Sequence, residues 1–279
     1  AKVPVFLLIG GAFFPDAAAQ VLFWITLCGW IAAMLVARLL RSTLIRGEAT
    51  PFVMELPPYR MPTFKGLCIH TWERGWEYIK KAGTIILAIS VLLWAAMTFP
   101  RPPQDMMQKY ESRIEQLNQK KQNLSVGDKP SSMQKRIQEL KAERAQKKLQ
   151  YTVTGRIGTS LEPVTKWAGF EWKTNIALIG GIAAKEVIVS SLGTAYSLGA
   201  VEGESAKSLS TRLAEDPNWN KVTGISIMVF VLLYAPCFVS VITIARESAW
   251  KWGIFSIFFN TAVAFLISVV IYQVGQGIV

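Results

Sequence analysis

Two charged residues, Lys185 and Glu186, lie in the middle of an apolar stretch that runs from Asn175 to Leu198. A charge at the centre of a bilayer costs about 2.5–3.5 kcal/mol on insertion scales, and such residues usually serve a pathway for ions or substrates. On a helix, Glu186, Ser190 and Gly193 would share one face. We therefore interpret Glu186 and Ser190 as candidates for an ion pathway. The alternatives are a salt bridge that locks two helices and a re-entrant helix tip in water.

A second candidate is the segment Tyr234-Ala235-Pro236-Cys237, which lies inside another apolar stretch. Because Pro236 has no N–H, the carbonyl of Leu232 loses its helical hydrogen bond. In a bilayer such a carbonyl is tolerated where it faces protein, water or an ion. A thiol at Cys237, with Ser240 one turn further on, suits a soft or borderline divalent cation better than Na⁺ or Mg²⁺. The alternative is a packing cysteine beside a simple kink.

A third candidate is the segment Met54-Glu55-Leu56-Pro57-Pro58-Tyr59-Arg60, within a stretch that contains four prolines between residues 51 and 62. The prolines exclude a regular helix, so the segment is expected to be extended. It presents the carboxylate of Glu55 and the phenol of Tyr59. The alternative is a connector held in shape by its prolines. The single histidine, His70, and the cysteines Cys28 and Cys68 are interpreted as surface and packing residues.

The composition indicates a membrane protein. Of 279 residues, 51% are hydrophobic, the mean hydropathy is +0.31, and the apolar residues come in long blocks rather than alternating with polar ones. The net charge of +11 comes from Lys and Arg in loops and in one polar insertion. This distribution favours charges that flank membrane spans over a nucleic-acid surface. No G-x-x-x-x-G-K-[ST] nucleotide motif and no CxxC pair is present.

The apolar blocks predict the helical elements. They indicate a short helix over 3–14, a span over 17–40, a Trp-rich interfacial helix over 64–81, a short span over 82–99, and spans over 175–198, 222–245 and 253–274, the second of these broken by Pro236. That amounts to about four long spans and two short or broken ones. The expected fold class is an all-α, polytopic membrane bundle with short and broken helices and an extramembrane helical hairpin.

The hairpin is predicted over residues 101–150. In this polar stretch Ile114, Leu117, Ile137 and Leu140 keep a sparse helical period, and a Gly-Asp-Lys-Pro sequence at 127–130 interrupts it. The pattern is typical of two antiparallel helices outside the bilayer. Its charges are interpreted as a solvated face.

A weak internal repeat is also present. Pro4-Val5-Phe6 and Pro236-Cys237-Phe238 each open a short apolar run that is followed by a break and a longer span. Broken elements at corresponding positions of two halves point to a transport site.

Taken together, several strings resemble one family. In order they are Pro4 to Pro15, Pro51 to Arg60, Ala82 to Ile86, Gly155-Arg156-Ile157-Gly158, Ala183-Ala184-Lys185-Glu186-Val187 and Tyr234-Ala235-Pro236-Cys237. They are similar to the C-terminal membrane region of bacterial ferrous iron transport protein B. The match covers nearly the whole chain except the hairpin, which looks like an insertion.

The resemblance implies a domain organisation. It assigns the end of a first gate-like repeat to 1–46, the proline loop and interfacial helix to 47–82, a membrane helix to 83–100, the hairpin to 101–150 and a second gate-like repeat to 151–279. It also implies a GTP-binding domain and further membrane helices that precede this sequence, with GTP and Mg²⁺ bound only there. We expect no enzyme activity in this region.

The resemblance implies transport of Fe²⁺ across the bacterial inner membrane. Cys237 would match the cysteine of the second repeat, Glu186 the A-K-E carboxylate, and Glu55 the carboxylate of the proline loop. Cys237 and Glu186 are the expected metal ligands, and Ser190, Ser240 and the Leu232 carbonyl complete the expected pathway. Structural or gating roles are expected for Lys185, Pro236, Pro57, Pro58 and Tyr59. The expected partners are the lipid bilayer, small accessory Feo proteins and a second copy of the chain, but not nucleic acid.

Two rival functions remain at this stage. A transporter of an organic solute such as a nucleoside would need amide and aromatic groups around a cavity, and the spans offer only Asn175 and Asn260 as amides. A membrane enzyme is not supported, because the sequence contains no cluster of His and carboxylates and no catalytic triad.

Overall fold

The computed structural model describes residues 2–44, 63–122, 130–196 and 204–278, and in these ranges it contains helices and no strand. The proline loop with Glu55, Pro57, Pro58 and Tyr59 lies outside the described residues. The helices are α1 Val3–Phe13, α2 Ala18–Thr43, α3 Phe64–Thr98, α4 Gln104–Gln122, α5 Pro130–Tyr151, α6 Val153–Thr165, α7 Trp172–Ala183, α8 Val187–Ala195, α9 Glu204–Glu215, α10 Lys221–Leu233, α11 Phe238–Glu247 and α12 Trp250–Ile278. The predicted all-α class is confirmed.

Three stretches of the described chain are long and apolar enough to cross a membrane: Ala18–Thr43, Lys221–Glu247 and Trp250–Gly277. Two shorter apolar helices, Val3–Phe13 and Leu87–Thr98, accompany them. Large apolar side chains cover the outside of α2, among them Phe23, Trp24, Trp30, Met34 and Leu35. A continuous exposed apolar surface on a helix with an internally satisfied backbone is the form of a lipid-facing span.

The interfacial helix and the short span predicted over 64–99 are one helix, α3, of 35 residues. The stretch contains Gly75 and Gly83 but no proline, and isolated glycines lower helix stability without ending a helix. A continuous helix also keeps every backbone hydrogen bond internal, which an apolar environment demands. Trp72 and Trp76 lie on one face of α3, with their rings stacked at 6.2 Å between centroids, and the interfacial position of this segment stays a prediction.

The continuous span predicted over 175–198 is wrong. Helix α7 ends at Ala183 and α8 begins at Val187, so Lys185 and Glu186 lie in a junction between two short helices. Ala184 has extended backbone angles there, φ −151° and ψ 129°. Two helices that fold back on each other need close contact, and Gly180 provides it, because an added Cβ would lie 2.9 Å from the Ser191 hydroxyl.

Helices α4 and α5 form the predicted hairpin. Ile114 and Leu117 of α4 pack against Ile137 and Leu140 of α5, and an ion pair joins Glu111 to Arg144. Early residues of α4 thus meet late residues of α5, so the two helices are antiparallel. The sparse apolar period was sufficient to identify this element.

The main core joins α1, α8, α9 and α10. Val5 and Ile9 of α1 are fully buried in the same cluster as Leu213 of α9 and Ile227 of α10. Gly224 allows the close approach of α10, since a Cβ there would lie 3.1 Å from Ile9. This packing brings the beginning of α1 to the end of α10.

The internal repeat is visible in the order of helices. An 11-residue helix, α1, precedes the 26-residue α2, and a 10-residue helix, α11, precedes the 29-residue α12. A proline stands at the start of the short helix in each case, Pro4 within α1 and Pro236 just before α11. The same short–long order in two halves is the pattern expected from the sequence echo.

Candidate functional site

The candidate site is the break between α10 and α11, which we call the 234–237 break. Helix α10 ends at Leu233, and Tyr234 turns to extended angles of φ −66° and ψ 175°. Cys237 caps α11 with φ −63° and ψ 155°. The last carbonyls of a helix have no partner within it, and Pro236 contributes no N–H to the segment that follows. The break therefore exposes oxygens inside an apolar stretch.

Two lysine ammonium groups occupy these oxygens. Lys185, from the α7–α8 junction, places Nζ 3.2 Å from the Val231 carbonyl and 3.5 Å from the Tyr234 carbonyl. Its Nζ also lies 4.2 Å from the centroid of the Tyr234 ring. Lys2, at the start of α1, donates to the Leu232 carbonyl at 2.6 Å. The Leu232 oxygen lacks a helical partner, as predicted, and it accepts a hydrogen bond from the Lys2 ammonium.

Cys237 and Ser240 lie together at the start of α11. The Cys237 Sγ and the Ser240 Oγ are 3.3 Å apart, with Cys237 half-buried and Ser240 exposed. The sequence spacing predicted this pairing, because residues three apart on a helix are neighbours. The other cysteines, Cys28 on α2 and Cys68 on α3, are exposed.

Glu186 caps the beginning of α8 and is exposed, as is Ser190. The Ser190 hydroxyl donates to the Val187 carbonyl at 3.0 Å, and Gly193 is buried. Within the described ranges no hydrogen bond or ion pair joins Glu186 to Lys185 or to Cys237. The same ranges contain no group of three His, Cys, Asp or Glu residues that could hold a metal ion. The structure thus brings Cys237 and Ser240 together, and the pathway roles of Cys237, Ser240, Glu186 and Ser190 stay predictions.

A second polar site, which the sequence did not reveal, surrounds Lys173. We call Glu171, Lys173, Tyr196 and Asp216 the carboxylate network. The Lys173 Nζ lies 3.3 Å from Asp216 and 3.6 Å from Glu171, and it lies 4.3 Å from the centroid of the Tyr196 ring. The Tyr196 hydroxyl contacts Asp216 at 2.7 Å and Glu171 at 3.1 Å. The members come from three distant segments, so no local motif could have identified them.

The two carboxyls of the network differ in their electrostatics. Burial raises the pKa of Glu171 above its ordinary value, although the Lys173 ammonium opposes the rise. Burial also acts to raise the pKa of Asp216. Hydrogen bonds from the Tyr196 hydroxyl and the Asn218 backbone N–H, together with Lys173, outweigh burial and hold the Asp216 pKa below its ordinary value. Asp216 is therefore the firmly ionised partner of Lys173, and Glu171 accepts a proton first as the pH falls.

Asn175, the amide that a solute transporter would need, is committed to the protein itself. Its side chain is buried and donates to the Gly158 carbonyl at 3.0 Å and to the Thr165 hydroxyl at 2.8 Å. These bonds hold α7 against α6, so this amide is satisfied without a ligand.

Helices that break inside a set of lipid-facing spans, with polar groups gathered at the breaks, define a polytopic membrane protein of the transporter class. The family model described as nucleoside recognition, Gate, matches residues 79–251, and the model for the ferrous iron transport protein B C terminus matches residues 22–74. The chain belongs to the Gate family, and the predicted resemblance to ferrous iron transport protein B is confirmed.

Relatives match the chain along its whole length. It is 38% identical over 283 residues to an Fe(2+) transport protein A/Fe(2+) transporter FeoB fusion protein of Porphyromonas gingivalis, covering 99% of this chain and 33% of that protein. It is 34% identical over 281 residues to the Fe(2+) transporter FeoB of Helicobacter pylori, covering 100% of this chain and 42% of the relative. The FeoB of Campylobacter jejuni is 33% identical over 270 residues, covering 96% of this chain and 38% of the relative. The chain thus spans between a third and about two fifths of these proteins. No solved structure matches it significantly.

Proposed function

We propose that this chain is the membrane permease region of a ferrous iron transporter of the cell inner membrane. The observation that carries the proposal is the set of relatives that match the whole chain and are named Fe(2+) transporters. The Gate match alone would also suit a carrier of organic solutes such as nucleosides. That alternative is not favoured, because the buried Asn175 amide is already satisfied within the protein.

The proposed pathway passes the 234–237 break. Cys237 supplies a soft thiol, Ser240 a hydroxyl 3.3 Å from it, and the end of α10 supplies carbonyl oxygens. Fe²⁺ is a borderline cation that accepts sulfur and oxygen donors, whereas Mg²⁺ prefers oxygen alone. A mixed and incomplete ligand set also binds weakly enough for release, which conduction requires. Glu186, Ser190 and Glu55 are proposed to extend this pathway beyond the break.

The remainder of the protein supplies what this chain does not contain. We assign GTP hydrolysis, with its Mg²⁺, to an N-terminal GTPase domain, and we expect upstream membrane helices to complete the first gate-like repeat. Small accessory Feo proteins and a second copy of the chain are proposed partners. Within this scheme Lys185, Pro236 and the proline loop shape or gate the pathway and perform no covalent chemistry.

The test is Fe²⁺ uptake by the full-length protein with Cys237→Ser. Serine keeps nearly the same volume but replaces a soft donor with a hard one, so uptake should fall several-fold while membrane abundance stays constant. The matched controls are Cys28→Ser and Cys68→Ser, which alter exposed cysteines outside the break and should transport like the parent. Thiol-reactive metals should inhibit the parent and both controls more than Cys237→Ser. If Cys237→Ser takes up Fe²⁺ like the parent at equal membrane abundance, Cys237 is only a packing residue.

A further inference from the structure

The Lys185 ammonium is buried without a counter-ion. The residue is 5% exposed, and in the part of the chain that the structure describes no carboxylate lies within ion-pair distance of it. Its contacts are the Val231 and Tyr234 carbonyls and the face of the Tyr234 ring. Carbonyl dipoles and an aromatic face are the groups that hold a bare cation in place of water. The 234–237 break is therefore a cation site, and a cation of the protein's own occupies it.

The Lys2 ammonium repeats this arrangement beside the first. It donates to the carbonyl of Leu232, the residue next to Val231, whose carbonyl accepts from Lys185. Two positive charges thus bind consecutive carbonyls at the end of α10, a few residues before Cys237. Lys2 comes from the start of α1 and Lys185 from the α7–α8 junction, and both ammonium groups converge on the carbonyls of the 234–237 break.

We propose that Lys185, assisted by Lys2, is a tethered cation that closes the 234–237 break to Fe²⁺ until the ammonium groups withdraw. This inference rests on the proposed function and concerns the regulation of the same site. The carbonyl oxygens that hold the lysines are those that would face Fe²⁺ on its way past Cys237. While the ammonium groups occupy them, these oxygens are not free to bind metal, and the two positive charges repel a divalent cation in a low-dielectric region.

The position of Lys185 allows withdrawal. It lies in the non-helical junction between α7 and α8, where Ala184 is extended. A rotation of this short junction would move the ammonium without disrupting either helix, and such element-terminal positions are where hinge motions occur. Withdrawal of Lys185 would leave the Val231 and Tyr234 oxygens and the Cys237 thiol as a mixed set of donors. The proposed opening therefore converts a lysine site into an iron site.

The experiment measures Fe²⁺ influx into proteoliposomes that contain the full-length protein, with and without GTP. Lys185→Met removes the charge at similar length, Lys185→Arg retains it, and Lys251→Met alters an exposed lysine of α12 as the matched control. We expect Lys185→Met to raise GTP-free influx about tenfold over the parent, because the barrier to the cation falls. Lys251→Met should keep GTP-free influx at the parental level, and Lys185→Arg, which retains the charge, should raise it less than Lys185→Met. Lys2→Met should give a smaller rise than Lys185→Met.

If Lys185→Met inserts, is monodisperse and shows the same GTP-free influx as the parent, the proposal is overturned. This holds whether or not GTP-driven influx persists. If Lys185→Met does not insert, Lys2→Met decides, and an unchanged GTP-free influx there overturns the proposal as well. The parent in the same vesicles separates the two hypotheses. If the parent carries no Fe²⁺ with GTP, the proposed function fails. If it does and the methionine variants stay closed, only the tethered cation fails.

Discussion

Lys173 and Lys185 each lie above a tyrosine ring at nearly the same distance, 4.3 Å for Lys173 and 4.2 Å for Lys185. Lys185 is buried and Lys173 is half-buried. Their remaining contacts differ. Lys173 also pairs with two carboxylates, Asp216 at 3.3 Å and Glu171 at 3.6 Å. Among the described residues, the polar contacts of the Lys185 ammonium are with the backbone oxygens of Val231 and Tyr234. A lysine above a tyrosine ring is thus paired with carboxylates at position 173, whereas at position 185 it has no carboxylate partner among the described residues.

This difference in partners distinguishes a lysine that stabilises the fold from one that we propose to act in transport. A buried charge with an acidic partner is compensated. Loss of either partner leaves the other charge without compensation, which destabilises the fold. A buried charge without a partner costs stability, and in a membrane protein such a group usually belongs to an ion or substrate pathway. On this reasoning Lys173 stabilises the fold, whereas Lys185 is the lysine that we propose to act in transport.

The largest expected effect is on stability at Lys173. Lys173→Met leaves Glu171 and Asp216, both half-buried, beside each other without a cation, which should lower the free energy of unfolding by about 3 kcal/mol, the lower end of the range for a buried pair. Lys185→Met removes a charge that has no acidic partner and should lower it far less. Denaturant titration of the full-length protein in detergent compares the two variants. Equal losses would mean that Lys185 is a structural lysine like Lys173.

A smaller effect is expected at Asp216, and it depends on pH. The folded-state pKa of Asp216 is below its ordinary value of 3.8, so its ionised form stabilises the fold at neutral pH and that contribution disappears as the pH falls through the lowered pKa. Asp216→Asn should therefore cost about 1.5–3 kcal/mol at pH 7, the range for hydrogen bonds to charged groups. The difference from the parent should shrink in acid. The comparison is made by unfolding parent and variant at several pH values, and a pH-independent difference would contradict the assignment of the ionised form.

Glu171, in the same network, makes the stability of the fold depend on pH in the opposite direction. Its folded-state pKa is raised above the ordinary value, so the native state holds more protons than the unfolded state between the two values, and stability falls as the pH rises through that window. The parent should therefore gain stability from Glu171 on mild acidification before it loses that from Asp216. This order, a gain of stability followed by a loss as the pH falls, distinguishes Glu171 from Asp216 in the unfolding measurements at several pH values.

The smallest effect should separate the two tyrosines. The Tyr196 hydroxyl bonds to Asp216 and Glu171, whereas the buried Tyr234 hydroxyl has no hydrogen-bond partner among the described residues. Tyr196→Phe should therefore cost about 1–2 kcal/mol more than Tyr234→Phe, since a hydrogen bond to a charged group is lost in one case alone. Thermal unfolding of both variants measures the difference. A larger cost for Tyr234→Phe would reveal a partner of its hydroxyl in the rest of the protein.

Much of this organisation follows from local patterns. The apolar blocks predicted α1, α2, α10–α11 and α12, because helix length and hydrophobicity in a membrane are properties of contiguous sequence. The break at Pro236 and the pairing of Cys237 with Ser240 were predictable for the same reason, since a missing N–H and a three-residue spacing act within one turn. The hairpin was predictable from its sparse apolar period.

Other predictions failed where distant segments decide the outcome. For residues 175–198 the sequence offered a re-entrant helix tip at Lys185-Glu186 only as an alternative, because the apolar stretch is also long enough to span a membrane. The turn is stabilised by contacts of Gly180 with Ser191 and by carbonyls that belong to another helix. The predicted interfacial helix and the predicted short span form one helix, α3, because no proline separates them. An amphipathic pattern does not show where a helix ends.

The sequence by itself determined the class of protein, the position of the break at Pro236 and the thiol beside it. Hydrophobicity, proline and spacing are read over a few neighbouring residues, and they do not depend on the rest of the fold. Only the tertiary structure decided what fills the break and what pairs with each buried charge. Lys2 and Lys185 come from separate helix ends, and Glu171, Tyr196 and Asp216 come from three segments. Buried charges find their partners through space, so the carbonyl contacts of Lys185 and the carboxylate contacts of Lys173 appear only when the helices are packed.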